Sequence, residues 1–299
     1  MKAVRPKAQV IKEAKAEGRS VHFGSLMELC SIKNSQLGKE FWTYKGRLVF
    51  RGDIVKDENG QFAVFTEQGA SASHMAAAKF MDAVSRLPGN SGEDCDAVGA
   101  YTQVSFKDAA KILGDPNVVA ETWISLPPHK RPKSWDSIED PVVPLLVNLY
   151  GHPIAGLLWD KYQEDKVIGL GFEKIPSWEC LYVHYDKRLF LSAYVDDYKM
   201  AGRAENIGPM WAAMKASGLD LEPSVPLCKN VYLGCGQVEV EPDFALIREK
   251  LECYERVCFG APSGKAESNI DELIDNSGAT RDASLSPQKE VQKQIPTKS

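Results

Sequence analysis

The stretch RLFLSAYVDDYKMAG, residues 188–202, sets two short apolar runs on either side of adjacent aspartates, Asp196 and Asp197. Runs rich in aromatic and β-branched residues around a polar break predict two strands joined by a tight turn. Two-residue hairpin turns favour Asn-Gly or Asp-Gly because their backbone angles are positive, and Asp-Asp meets that demand poorly. Like charges side by side also carry an electrostatic cost unless a cation or solvent offsets it. A solvated polar turn and a pair of metal ligands held at a strand end both satisfy this segment.

A third carboxylate widens the second reading. EDCDAVGAYTQVSF, residues 93–106, predicts a short strand in which Asp96 sits among apolar neighbours. Three carboxylates from two neighbouring strands form an oxygen-rich set that suits Mg²⁺, with Mn²⁺ as an alternative. Two such ions activate an attacking hydroxyl and stabilise a leaving pyrophosphate.

The surrounding elements follow from periodicity and turn chemistry. FWTYKGRLVFRGDIV, residues 41–55, has the content of a strand or hairpin, and DENGQF carries an Asn-Gly turn signal. Arg47 and Arg51 are four apart, which puts them on one face of a strand. Helices are expected over 71–87, over 152–172, near Pro209 and over 243–259. In the second of these Ile154, Leu157, Leu158, Tyr162 and Val167 share a face, and in the last Leu246, Ile247, Leu251, Tyr254 and Val257 do. NVYLGCGQVEVE, residues 230–241, predicts a hairpin. Residues 1–20 alternate charged and small side chains and predict a basic flexible arm, and 261–299, rich in Ser, Lys, Glu and Pro without aromatics, predict a disordered tail.

Composition sets the remaining limits. The 299 residues, 43% hydrophobic and 26% charged, can bury a substantial core in one composite domain or two subdomains. The apolar run VVPLLVNLYG falls short of the roughly 20 residues a bilayer span requires. No apolar segment or cleavage site of a secretory signal follows the first Met, so an intracellular protein, cytoplasmic or nuclear, is expected. The seven cysteines are scattered without a C-x-x-C pair, which argues against zinc. A net charge of −5 argues against bulk attraction to nucleic acid and leaves room for a local basic groove.

In order along the chain, YKGRLVFRG, DAVGAY, WISLP, LYGHPIAGLLW, YVDD and VYLGCGQVEV resemble motifs of copia-type retrotransposon reverse transcriptases. LYGHPIAGLLW aligns without gaps on that family's LYGLKQAPRAW, keeping Leu149, Tyr150, Gly151, Ala155 and Trp159. The resemblance covers roughly residues 20–258 and implies an α+β fold of reverse-transcriptase-like fingers and palm, with an antiparallel palm sheet flanked by helices and an incomplete thumb. The expected division is a basic arm over 1–20, fingers over 21–90, palm over 91–205, palm end and partial thumb over 206–260, and a tail over 261–299.

The activity it implies is RNA-directed DNA polymerase, joining deoxynucleoside triphosphates to a primer on an RNA or DNA template, with two Mg²⁺. By position, Asp96 and Asp196 would bridge the metals and Asp197 would assist. The Ala97 carbonyl would ligate the nucleotide-side ion, and Tyr101 would lie under the incoming sugar and exclude a 2′-hydroxyl. Arg47 and Arg51 would grip the triphosphate, and Tyr194, Tyr232, Leu233 and Gly234 would lie at the primer terminus. Lys215 is a candidate proton donor to pyrophosphate. Ile154 falls where the family has the nucleotide-side Gln, and Gly156 and Leu157 replace its Pro and Arg. No ribonuclease H region is recognisable, so a polyprotein fragment or stand-alone relic is expected. The alternative is a catalytically impaired chain that keeps the fold as a nucleic-acid-binding module.

Overall fold

The computed structural model describes residues 4–65, 75–114, 120–229, 231–232, 235–236 and 243–260. In chain order the first part holds β1 (Arg5–Pro6), α1 (Lys7–Glu17), β2 (Val21–Lys33), β3 (Thr43–Phe50), α2 (Met75–Ser85) and β4 (Asn90–Asp96). There follow α3 (Ala109–Leu113), β5 (Glu121–Ser125), β6 (Pro141–Pro144), α4 (Ala155–Gly169), β7 (Glu173–Lys174), β8 (Leu181–His184) and β9 (Leu189–Tyr194). The last part holds β10 (Asp197–Arg203), α5 (Ala204–Ala216), β11 (Val225–Pro226), β12 (Val231–Tyr232), β13 (Cys235–Gly236) and α6 (Phe244–Phe259). The fold is mixed α+β.

Two sheets organise it. One runs β1-β6-β5-β2-β3, and its β2–β3 ribbon is largely exposed beyond Leu26 and Phe50. The other runs β11-β4-β10-β9-β8-β7 with all neighbours antiparallel. Side-chain alternation along β4, β9 and β10 sorts residues to its two faces. Cys95, Leu189, Leu191, Tyr198 and Met200 pack with Leu158, Trp159 and Val167 of α4 and Ile207, Trp211 and Met214 of α5. Leu181, Val183, Phe190 and Ala201 face the other way, onto Ala77, Met81 and Val84 of α2 and Leu251 and Tyr254 of α6. The sheet is sandwiched by helices along most of its length.

Several expectations need correction. The basic arm is ordered from Val4: α1 buries Val10 and Ala14 against Phe23, Trp123 and Val142, and the Lys7 N–H donates to the Asp140 carbonyl at 3.1 Å. Two apolar contacts one helical turn apart suffice to dock a short helix that composition alone leaves solvated. The division at residue 90 does not follow the layers, because β5 and β6 join the first sheet while α2 packs on the second. The fingers hairpin lies further upstream than expected, as β2 and β3, while the Asn59-Gly60 turn closes a small hairpin of its own, with Lys56 bridged antiparallel to Phe62 and the Ala63 N–H on the Val55 carbonyl at 2.9 Å. The strand at Asp96 stops there, because Gly99 adopts φ +56° and the chain enters a 3₁₀ turn over Ala100–Gln103. In α6 only Leu251 and Tyr254 of the expected face are buried, while Leu246 and Val257 are exposed. The tail over 261–299 lies outside the described residues.

Candidate functional site

The two aspartates do not share the turn. β9 and β10 are joined by Val195 and Asp196, Tyr194 pairs with Asp197, and Asp197 is the first residue of β10. Val195 has φ +53° and Asp196 does not, the pattern of a turn that needs a positive φ at its first central position only. A β-branched residue there is strained. Its carbonyl accepts the indole N–H of the buried Trp159 at 2.5 Å, and the Asp196 carbonyl accepts the Ala97 N–H at 2.7 Å. At the base of the hairpin Gly202 has φ +144°, and a Cβ there would lie 2.1 Å from the Arg188 carbonyl oxygen.

Because β10 lies between β9 and β4, Asp197 meets a carboxylate on the β4 side and Tyr194 on the β9 side. Asp197 is in register opposite Asp96, and directly opposed residues of an antiparallel pair share a face. Burial, then the charges of Asp196 and Asp96, a hydrogen bond with Asp96, and the charge of Asp94 raise the Asp197 carboxyl to about 6. Asp197, which the resemblance implies only assists, is thus the direct partner of Asp96, and Asp196 stands beside the pair on the turn.

The donors at this end are carboxylate oxygens, which suit Mg²⁺ or Mn²⁺, and the crowding that raises Asp197 is what a bound cation offsets. Among the described residues, no group of three or more His, Cys, Asp or Glu side chains stands in an arrangement that could hold a metal ion. The expected three-carboxylate set is therefore a contacting pair with a neighbour. Register explains why: only Asp96 and Asp197 are cross-strand partners, and Asp196 belongs to the turn.

Two tyrosines adjoin the carboxylates. Tyr101, in the 3₁₀ turn after β4, packs its ring on Tyr150 with centroids 4.3 Å apart and planes inclined by 32°. Burial raises the Tyr101 phenol, and Asp160, Tyr150, Asp196 and Tyr194 add to the effect. Burial and then Asp196 raise Tyr150, while Arg47 and the Tyr101 backbone N–H lower it. The second phenol is therefore within electrostatic reach of both the turn carboxylate and the ribbon guanidinium. Tyr150 and Trp159 were part of the motif signal without a role of their own.

The other expected residues divide. Arg47 lies on the exposed ribbon β3. Arg51 is past the end of β3 and is held by Asp53 at 2.9 Å, so the two arginines do not share a strand face. Ala97 is buried and its N–H is committed to Asp196. Ile154 is buried at the start of α4 in the main core, so it lines no open site: an aliphatic side chain at this position packs inward. Tyr194 ends β9 beside the carboxylates. Tyr232 contributes backbone to the β12–β13 pair, and Leu233 and Gly234 lie outside the described residues. Lys215 is in the last turn of α5, which packs on the Cys95 face of the sheet, opposite Asp96 and Asp197.

One residue carried no sequence signal. Lys199, two positions after Asp197 and opposite Asp94, is fully buried, with its ammonium on Asp82 of α2 and donating to the Ala78 carbonyl at 3.4 Å. It anchors α2 to the strand that carries Asp197.

No family model matches the sequence, and no curated protein matches it. Among solved structures, the chain is similar to the apo telomerase of Candida tropicalis truncated from its C-terminal domain, at 11% identity over 52% of this chain and 35% of that one, with a TM-score of 0.32. It is also similar to telomerase from Candida albicans in complex with a fragment of telomeric RNA, at 8% identity over 88% of this chain and 54% of that one, with a TM-score of 0.40. The chain thus spans about a third and about half of those proteins. Overlaps this loose carry no argument about activity or ancestry. Among the described residues, no helix is long and apolar enough to cross a membrane.

Proposed function

We propose that this chain is a reverse-transcriptase-like polymerase domain that adds deoxynucleotides to a primer 3′-hydroxyl on an RNA or DNA template. The observation that carries the reading is the in-register opposition of Asp96 and Asp197 beside the Asp196 turn, at the sheet end where Tyr101 and Tyr150 stack. The ordered motif resemblance supplies the chemistry. The primer oxygen attacks the α-phosphorus, the bond to pyrophosphate breaks, and the hydroxyl proton passes to solvent water. Asp96 and Asp197 would hold Mg²⁺, with Asp196 adjoining. When bound, the ion would supply charge neutralisation for the triphosphate and the departing pyrophosphate. Tyr101 would bound the sugar side, and Arg47 would meet the triphosphate with charge-assisted contacts.

The test is extension of a labelled primer on RNA and DNA templates with deoxynucleotides and Mg²⁺. Extension by the wild-type chain that Asp197→Asn abolishes is the expected result, and extension no greater than that of the variant refutes it. A second reading is favoured by the carboxylate set being a pair and by Ile154 being buried: a binding module that retains the fold without turnover. Salt-dependent binding of primed template without metal-dependent extension would establish that version.

A further inference from the structure

Tyr150 sits where three parts of the molecule meet. Its ring packs on Tyr101 with centroids 4.3 Å apart. Its carbonyl accepts the Phe50 N–H at 2.8 Å, which fastens it to the end of β3, three residues beyond Arg47. The next residue makes that junction close: Gly151 has φ +88°, and a Cβ there would lie 2.1 Å from the Phe50 carbonyl oxygen. Tyr150 is thus placed from the ribbon side, while Tyr101 hangs from the carboxylate strand through a short turn after Gly99. A half-buried ring on a 3₁₀ turn needs something behind it to keep its position, and the tilted stack supplies it.

We propose that Tyr150 is a positioning residue that holds the Tyr101 ring for selection between deoxyribose and ribose in a bound nucleoside triphosphate. This inference rests on the polymerase reading for the place of the nucleotide. Selection of this kind requires a wall that does not yield, because a ring free to rotate admits the extra hydroxyl. The aromatic face of Tyr150 makes that wall stiff. Its fixed link to β3 ties the wall to the ribbon that carries Arg47.

The experiment measures binding of dGTP and GTP to the full chain on a primed template, with Ca²⁺ in place of Mg²⁺ to suppress turnover. Wild type, Tyr150→Phe, Tyr150→Leu and Tyr150→Ala are compared, and each is checked for cooperative thermal unfolding. Tyr150→Phe keeps the stack and should hold the preference for dGTP within about twofold, whereas Tyr150→Leu and Tyr150→Ala should lower it about fivefold to tenfold, chiefly by tightening GTP. Equal weakening of both nucleotides in the Leu and Ala variants shows a merely structural role and overturns the proposal. If Tyr150→Ala does not fold, an unchanged preference in Tyr150→Leu overturns it equally. Wild-type binding without a sugar preference also overturns it, whatever primer extension shows. Primer extension by wild type is scored separately, so failure of the polymerase reading is distinguishable from failure of this one.

Discussion

A valine at φ +53° is an uncomfortable residue for the tip of a hairpin, and the contacts around it explain its persistence. The Trp159 indole holds its carbonyl, and the Ala97 N–H holds the next one. Trp159→Phe keeps one aromatic ring but removes the donor and part of a fully buried indole, so it should cost about 2–4 kcal/mol in urea unfolding and lower primer extension more than it lowers template binding. Asp197 gives a second residue-scale prediction. Its native carboxyl is raised to about 6 from an ordinary 3.8, so the native state holds that proton more tightly than the unfolded chain. The associated stability is full below about 3.8 and is lost as the pH rises through about 6. Asp197→Asn should therefore gain stability over wild type at pH 7 relative to pH 4, measured by urea melts without divalent metal, and an unchanged difference would contradict it.

At the scale of elements, the strand β10 carries polar residues at Asp197, Lys199 and Arg203 on one face, a pattern that ordinarily marks solvent. Here α2 and α6 cover most of that face. Lys199 is buried on Asp82, and Arg203 joins Arg188 on Glu255 of α6 at 3.1 and 2.9 Å. The ion pairs fasten α2 and α6 to the sheet. Lys199 is buried while the Asp82 side chain is 32% exposed, so the costly change is loss of the carboxylate: Asp82→Ala weakens the pairing of the buried ammonium and should destabilise the chain by about 1–3 kcal/mol. Chemical denaturation reads that cost, and a loss below about 1 kcal/mol would show the ion pair to be incidental.

At the scale of the molecule, His152 is buried between the first sheet and the segments that carry Phe65 and Phe106. Its ring lies 4.7 Å from Phe50, 5.0 Å from Phe106 and 5.8 Å from Phe65, with Thr122 Oγ1 at 3.5 Å from Nε2. Burial, then the charge of His22, depress it to about 3. The neutral ring stabilises the fold fully above about 6.5, and that contribution is lost as the pH falls through the interval down to about 3. A loss on the order of 3 kcal/mol between pH 7 and pH 4 is expected in wild type, and His152→Leu should flatten that part of the profile. Equal pH dependence in the two proteins would place the acid sensitivity elsewhere.

Much of this was legible beforehand, for reasons that differ by residue. The β9–β10 hairpin, the strand ending at Asp96 and the helix α4 with Leu158 and Val167 inside are local patterns of period two or near 3.6, and local patterns survive folding. The amino-acid sequence alone determined that Asp96, Asp196 and Asp197 lie at strand ends and that Tyr101 follows one of them. Only the tertiary structure decided which aspartate faces Asp96, because a one-residue difference between turn and strand is a matter of register, set by β4 pairing across the sheet. It also decided that Lys199 is buried, that Arg51 is spent on Asp53, that Ile154 points into the core and that Tyr150 backs Tyr101. Each of those depends on which distant segment arrives at a given face, and burial by a distant segment leaves no periodic trace in the residues it covers.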